Sequence, residues 1–372
     1  MPLRDLVSRD ELTMTEQYDT VVIGGGQAGL VTGYYLQQQG RDFIILDAGT
    51  RVGDTWRHRW DSLSAFTPAR YTYLPGLHLS SSPHHFPTKD EIAEYLESYA
   101  DTFDLPVELN TRVDRLEEGD VGFRITASNG HIEASNVVVA MASYQKPIIP
   151  DFADALADDI VQSHTKEYRN PDQLQQGGVL IVGAGNSGAE IALDVAPHHD
   201  TWLSGRDVGH VPFRIDSWVG RHLGVPFVMR VFFHRILTTR TPLGRRVRPG
   251  LLTKGGPLVR VKPGDLSEAG VKRVPRTTGV EDGLPIVGEA EQLEVANVIW
   301  CTGFRPEFSW IDLPVFGEHE QPKEPIHHRG IVSEAPGLYF VGLTFLYAMT
   351  SSLFTGVGRD ARHVVAHLGR RD

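Results

Sequence analysis

Short apolar runs alternate with amphipathic stretches along this chain, and their order predicts its architecture. Tyr18 to Ile23 is a brief apolar run of the length a buried strand needs. Glycines follow, and Ala28 to Gln39 then reads as a helix ending at Gly40. Phe43 to Leu46 is a second apolar run, closed by Asp47. Strand, glycine turn, helix, strand and acid in that order predict the start of a parallel, doubly wound sheet. Thr88 and Glu91 have capping-box spacing, and Ile92, Tyr95, Leu96 and Tyr99 share one helical face, which predicts an amphipathic scaffold helix. Between Val113 and Ala134 the runs shorten around Asn129-Gly130, a hairpin signal, and Val137 to Ala140 reads as a buried strand.

The first unit recurs from Val179, with a strand, a glycine loop, a helix from Asn186 to Val195 and a strand ending near Leu203. Recurrence about one domain length later predicts two nucleotide folds in one chain. After Pro275 come short strands, the apolar run Val298 to Trp300, a buried strand within Gly337 to Gly342 and a final helix from about Ser352 to Leu368.

Each glycine loop has a mechanical logic. Gly24, Gly26 and Gly29 form G-x-G-x-x-G between strand and helix, which permits a tight turn, a close approach of backbone to a pyrophosphate, and close packing of helix on strand. The helix N-terminus offers unpaired N–H groups and partial positive charge to phosphates. Asp47 ends the next strand, where a carboxylate accepts from ribose hydroxyls. Gly183, Gly185 and Gly188 repeat the pattern with Asn186 and Ser187 inside it, but Ser204-Gly205-Arg206 stands where an acid would be. A guanidinium there suits a 2′-phosphate and favours NADPH over NADH, with Asp207 next to it as the opposing charge.

The fold class expected is therefore α/β, with two Rossmann-like dinucleotide-binding domains, the NADP domain inserted in the FAD domain. Residues 18–165 and 280–372 would form the FAD-binding domain, residues 166–279 the NADP-binding domain, and residues 1–17 a disordered N-terminal tail. FAD and a nicotinamide nucleotide in one chain imply hydride transfer between them. The reduced flavin then has three fates: a disulfide, a quinone or other acceptor, or dioxygen.

Composition narrows these. The chain has 372 residues, 41% hydrophobic, and a formal charge of −11, which supports two packed cores and argues against a general nucleic-acid binder. Cys301 is the only cysteine, so a disulfide-reducing mechanism lacks its reactive pair. Met1 to Gln17 has no apolar stretch like that of a signal peptide, and no run is long enough to span a bilayer; a cytoplasmic location without an integral membrane segment is expected. His84-His85, His198-His199 and His327-His328 are adjacent pairs, poor chelators of one ion, and no metal site is expected.

Two stretches stay ambiguous. From Arg206 to Lys262 the chain is basic, with Trp218, Phe227, Phe232, Phe233 and Leu237 interleaved. The preferred account is an amphipathic helix of the second domain with a solvated face; the sharper one is a substrate lid or a membrane-surface patch. In the loop Arg57 to Phe86, Ser64 to Tyr73 either roofs the flavin ring or is an ordinary surface loop.

Taken together, Gly24 to Gly29, Gly53 to Trp56, Phe86-Pro-Thr-Lys89, Gly183 to Gly188 and Cys301-Thr-Gly-Phe-Arg-Pro306 make the chain resemble the class B flavin monooxygenases, over nearly its whole length from Tyr18. The resemblance implies FAD contacts at Gly24, Gly26, Gln27, Ala28, Gly29, Asp47, Ala48, Gly53, Trp56, Gly303, Gly342, Ser352 and Leu353, and NADP contacts at Gly183, Gly185, Asn186, Ser187, Gly188, Ser204, Arg206 and Thr302. It also implies that the last helix, with Gly356 and Gly358, aims its N-terminus at the flavin's pyrimidine edge.

Of the family fingerprint F-x-G-x-x-x-H-x-x-x-F/Y/W, His164 and Tyr168 match the second half, while Asp158 and Ile160 stand in the Phe and Gly places. His164 and Tyr168 are accordingly the catalytic candidates, with a domain-linking role as the alternative for His164. Met141-Ala142 replaces the usual Thr-Gly after a strand. The implied reaction is reduction of FAD by NADPH and transfer of one oxygen atom of dioxygen, through a hydroperoxyflavin, to a small organic substrate. The alternatives are an NAD(P)H oxidoreductase without oxygen insertion and a non-catalytic redox-sensing flavoprotein; a homodimer is left open.

Overall fold

A computed structural model describes residues 16–215, 217–254, 256–317 and 325–371. The first run forms strand β1 (Glu16–Ile23), which starts at Glu16 because Glu16 and Gln17 pair in register with Ile132 and Glu133. Residues 1–15 of the expected tail lie outside the described residues. The turn leads into α1 (Gln27–Gln38) and β2 (Phe43–Leu46), all four residues of which are buried, as a parallel strand covered on both faces requires. A short helix α2 (Asp54–Arg57) follows, then α3 (Lys89–Thr102). Thr88 caps α3 by accepting from the Glu91 N–H at 3.2 Å, and the Glu91 carboxylate accepts from the Thr88 N–H at 2.7 Å.

The first sheet runs β3 (Val107–Glu108), β2, β1, β6 (Gly130–Val139), β5 (Gly122–Ala127), β4 (Val113–Gly119). The hairpin β5–β6 forms where the Asn129-Gly130 signal predicts one, but it turns at Ser128-Asn129, with Gly130 opening β6. The last three residues of β6 pair with β17 (Leu338–Phe340), a strand from near the end of the chain.

Between these, β7 (Lys146–Pro147) leads to the second sheet, ordered β11 (Lys272–Val274), β10 (Thr201–Ser204), β9 (Val179–Val182), β15 (Asn297–Trp300), β8 (Val161–His164). Helix α4 (Asn186–Val195) covers one face. A hairpin set β12 (Thr277–Glu281), β13 (Leu284–Val287) and β14 (Glu291–Gln292) packs on the other, and β16 (Phe304–Arg305) returns to pair with β7. The strands of the second sheet thus lie in sequence between β6 and β17 of the first. Their limits differ from the expected divisions at 165/166 and 279/280: Val161–His164 and Asn297–Trp300 both pair inside the second sheet, because the buried run of β15 needs a partner on each edge.

Residues 206–262 do not form one helix. A helical run over 220–236, containing α5 (Val225–Phe227), is followed by α6 (Pro242–Lys254) and α7 (Pro263–Glu268). Its inner side buries Ile215, Val225 and Met229 against Tyr71, and its outer side exposes His222, Arg230 and Arg235 as expected of a solvated face, together with the apolar Val219, Leu223, Phe227 and Val231. Among the described residues no helix is long and apolar enough to cross a membrane.

The last helix, α8 (Phe354–Leu368), packs along α1 and buries Val357, Ala361, Val364, Val365 and Leu368. Burial of this region pulls the imidazoles of His234, His327 and His363 down to about 4 from 6.5. Neutral imidazoles are favoured in the fold, so their stabilisation is complete above the unfolded value of 6.5 and is lost as pH falls toward 4. Thermal melts should show a Tm that is flat above about pH 7 and drops by several degrees toward about pH 4, with a shallower slope in a His234→Gln/His327→Gln/His363→Gln variant.

Candidate functional site

The two glycine loops have the same geometry. Gly24 and Gly183 take φ of +108° and +115°, open to glycine and strained for any side chain. A Cβ on Gly29 would overlap the carbonyl oxygen of Gly24, and one on Gly188 the carbonyl oxygen of Gly183. Gly26 (φ −80°, ψ −170°) and Gly185 (φ −78°, ψ −171°) cap α1 and α4 without a side-chain cap bond.

The first intrahelical bonds run from Leu30 N–H to Gly26 and from Ala189 N–H to Gly185, both 2.9 Å, leaving the preceding amides of each first turn without an intrahelical acceptor. A Cβ on Gly26 or Gly185 would meet nothing within 4 Å, so both helix ends face open space. Donors of this kind, with no acid in either first turn, fit a diphosphate.

Around the first loop the expected residues come together. The Asp47 carboxylate accepts from Gly25 N–H at 2.5 Å and from Gly49 N–H at 2.7 Å, which fixes it beside the turn; Ala48 is exposed. Gln27 Nε2 donates to the Ser352 carbonyl at 2.7 Å, and Gln27 Oε1 is buried without a protein partner. Gly342, at φ +84°, lies so close to α1 that a Cβ would sit 2.8 Å from that of Ala28. Gly53, at φ +88°, caps α2, where a Cβ would crowd the Ala93 backbone at 2.7 Å. Trp56 packs on Phe354, ring centres 6.2 Å apart, and Leu353 caps α8 with no side-chain bond. Met141 approaches the turn too: its Cγ lies 3.4 Å from where a Gly24 Cβ would be, while Ala142 beside it is exposed.

Other candidates are held by protein partners. His164 is 1% exposed, with Nε2–H donating to the Gly303 carbonyl at 3.1 Å and Nδ1 accepting from Lys166 N–H at 3.2 Å; burial lowers its pKa. Thr302 donates to the Ile148 carbonyl, and Ile148 N–H donates to Gly303 at 3.0 Å, so these residues bind the exit of the second sheet to the segment after β7. Tyr168 is wholly buried and donates to Asp194 at 2.8 Å; burial and that carboxylate push its phenol up.

Ser204 is spent on the Pro275 carbonyl and Thr277, and the Asn186 side chain bonds Pro257 and Val259, which leaves their backbones but not their side chains for a ligand. Cys301 is half-buried, with its Cβ packed behind Gly183 and Gly188, and desolvation pushes its thiol up, away from reactivity.

Two features were not visible in sequence. Arg273, from β11, donates to the Gly205 carbonyl at 3.1 Å and so stands beside exposed Arg206; only the parallel pairing of β10 with β11 brings them together. Glu190, on α4, lies 3.9 Å from Arg260, which itself donates to the Ser64 carbonyl at 3.1 Å, tying α4 to the 57–86 loop. Burial raises the Glu190 carboxyl to about 7, with Arg260 opposing.

Comparison with known proteins matches this arrangement. Residues 21–204 fit the family model described as pyridine nucleotide-disulphide oxidoreductase. An uncharacterised CzcO-like oxidoreductase of Geobacillus kaustophilus (strain HTA426) is 41% identical over 93% of this chain and 97% of its own. The chain belongs to the class B flavin monooxygenase family. Its relatives include the probable indole-3-pyruvate monooxygenase YUCCA3 of Arabidopsis thaliana, 29% identical over 94% of this chain and 86% of that protein. The solved flavin-containing monooxygenase of Stenotrophomonas maltophilia superimposes with a TM-score of 0.75 at 27% identity, covering 96% of this chain and 99% of that one. The protein is therefore a flavin-dependent enzyme of a monooxygenase family.

In this family member the buried Glu190 opposes folding once it ionises. Its folded pKa is raised, so the cost grows as pH climbs from 4.5 and is complete above about 7. Glu190→Gln should raise stability by about 2 kcal/mol in denaturant melts at about pH 8 and give no gain near pH 4.5.

Proposed function

We propose that this protein is an NADPH-dependent monooxygenase that places one oxygen atom of dioxygen on a small organic substrate, using FAD held at the first glycine loop. The observation that carries the proposal is the pair of equivalent, uncapped helix N-termini, one on each sheet, each facing open space. Bound FAD, reduced by the nicotinamide, supplies the activation of dioxygen; the rest falls to the chain.

The amides at Gly26 to Gly29 hold the flavin diphosphate, and Asp47, already oriented by two backbone donors, accepts from the adjoining ribose. The N-terminus of α8, tied to α1 through Gln27 and Ser352, places partial positive charge on the side where negative charge gathers on reduction. Tyr71, Phe86, Ile215, Val225, Met229 and Leu353 close an apolar layer over that helix end and exclude water from it.

Amides at Gly185 to Gly188 hold the nicotinamide nucleotide's diphosphate. Arg206 and Arg273 bracket Gly205 and receive a 2′-phosphate, while the Asp207 carboxylate is turned onto Gly209 N–H at 2.8 Å. His164 and Tyr168 act by holding the second sheet and its exit in place.

Anaerobic reduction by NADPH, followed by oxygen and candidate amines, sulfides and 2-oxo acids, tests the reaction. Oxygenated product should account for most of the NADPH consumed with at least one substrate; NADPH oxidation matched entirely by hydrogen peroxide or by a reduced quinone would assign the protein to the acceptor reductases instead.

Nucleotide placement is tested separately. Gly185→Val has room and an allowed backbone, so it should melt like wild type and retain flavin absorbance while losing NADPH binding. Arg206→Ala and Arg273→Ala should each raise the NADPH Kd by roughly tenfold or more, the worth of a charged hydrogen bond, and leave the NADH Kd unchanged.

A further inference from the structure

The helical run over 220–236 and the turn before it are apolar on the inner side and carry apolar together with basic side chains on the outer one. Its inner side is accounted for by Tyr71 and its neighbours. The outer side exposes Trp218 (70%), Val219 (54%), Leu223 (62%), Phe227 (56%) and Val231 (36%). Spaced by four, Val219, Leu223, Phe227 and Val231 follow one side of the helix. Trp218 is the one exposed tryptophan of the chain's six; the others are buried or half-buried.

Charge decides what such a stripe suits. The chain as a whole is at −11, yet residues 208–262 carry eleven Lys and Arg against a single acid, Asp216. Arg235, on the same run, and Arg245 and Arg246, on α6, are exposed, as is Leu243 at 44%. A second copy meeting this face across a two-fold axis would set arginine against arginine. Tryptophan, phenylalanine and leucine flanked by guanidiniums are instead the composition of a helix lying in a headgroup layer.

We propose that the outer face of residues 218–231, with Arg230 and Arg235 of the same run and the exposed arginines of α6 that follow it in sequence, docks the enzyme on an anionic lipid surface. The apolar side chains enter the boundary between headgroups and acyl chains, and the guanidiniums pair with lipid phosphates. Because the same helical run roofs the N-terminus of α8, docking sets the covering layer of the site against the membrane.

Sedimentation of the full chain with phosphatidylcholine vesicles, with or without about 30% phosphatidylglycerol, tests this. Wild type should pellet with the anionic vesicles, remain soluble with the neutral ones, and release in about 0.5 M salt. Trp emission should shift to the blue on the anionic vesicles only. Trp218→Ser/Phe227→Ser should lower partitioning at least about tenfold with an unchanged circular dichroism melt, since both side chains are exposed. Arg245→Glu/Arg246→Glu should lower it comparably while leaving the stripe intact. Failure of wild type to pellet with anionic vesicles would overturn the proposal. So would light scattering that shows a dimer which Trp218→Ser/Phe227→Ser disperses, because the face would then belong to a second copy.

Discussion

Everything in this protein is arranged about one close approach, repeated twice: a helix pressed against the carbonyl of the turn that precedes it. Gly29 against Gly24 and Gly188 against Gly183 leave no room for a single methyl group. That contact brings each helix N-terminus in over the end of its strand, with its amides unpaired and its positive end forward. An uncapped helix end costs stability unless something accepts from it, so the same geometry that makes the fold leaves it expecting an anion.

Both strand exits serve this contact. The Ala140 carbonyl lies 3.2 Å from where a Cβ on Gly24 would project, and the carbonyl of Cys301 closes in on Gly183 in the same way. The lone cysteine is thereby a packing residue of the second loop, small enough to pass behind Gly183 and Gly188, with its thiol held protonated by desolvation. From there the chain crosses back, held by Thr302, Gly303, Ile148 and His164. The matching half of the family fingerprint in this chain is held in place at both ends, His164 on the crossing and Tyr168 bonded to Asp194 of α4.

How far the sequence reading reached depended on the range of the physics involved. Strand runs, helix faces and the Thr88 capping box are decided by residues a few positions apart, and they emerge as expected. The chain positions at which one sheet gives way to the other did not emerge, because β15 and β8 choose partners by burial across more than a hundred residues. Ser204 and Asn186 stood at the right places in their motifs, but tertiary neighbours at Thr277 and Val259 claimed their side chains.

What the sequence by itself determined is the pair of glycine turns, the acid after the first and the arginine after the second, since each follows from local backbone freedom and adjacent charge. Only the tertiary structure decided that Arg273 joins Arg206, that Glu190 is buried beside Arg260, and that the basic helical segment covers the start of α8 while showing an apolar face outward. Those outcomes depend on which surfaces meet when the two sheets pack, and no local pattern of residues encodes that meeting.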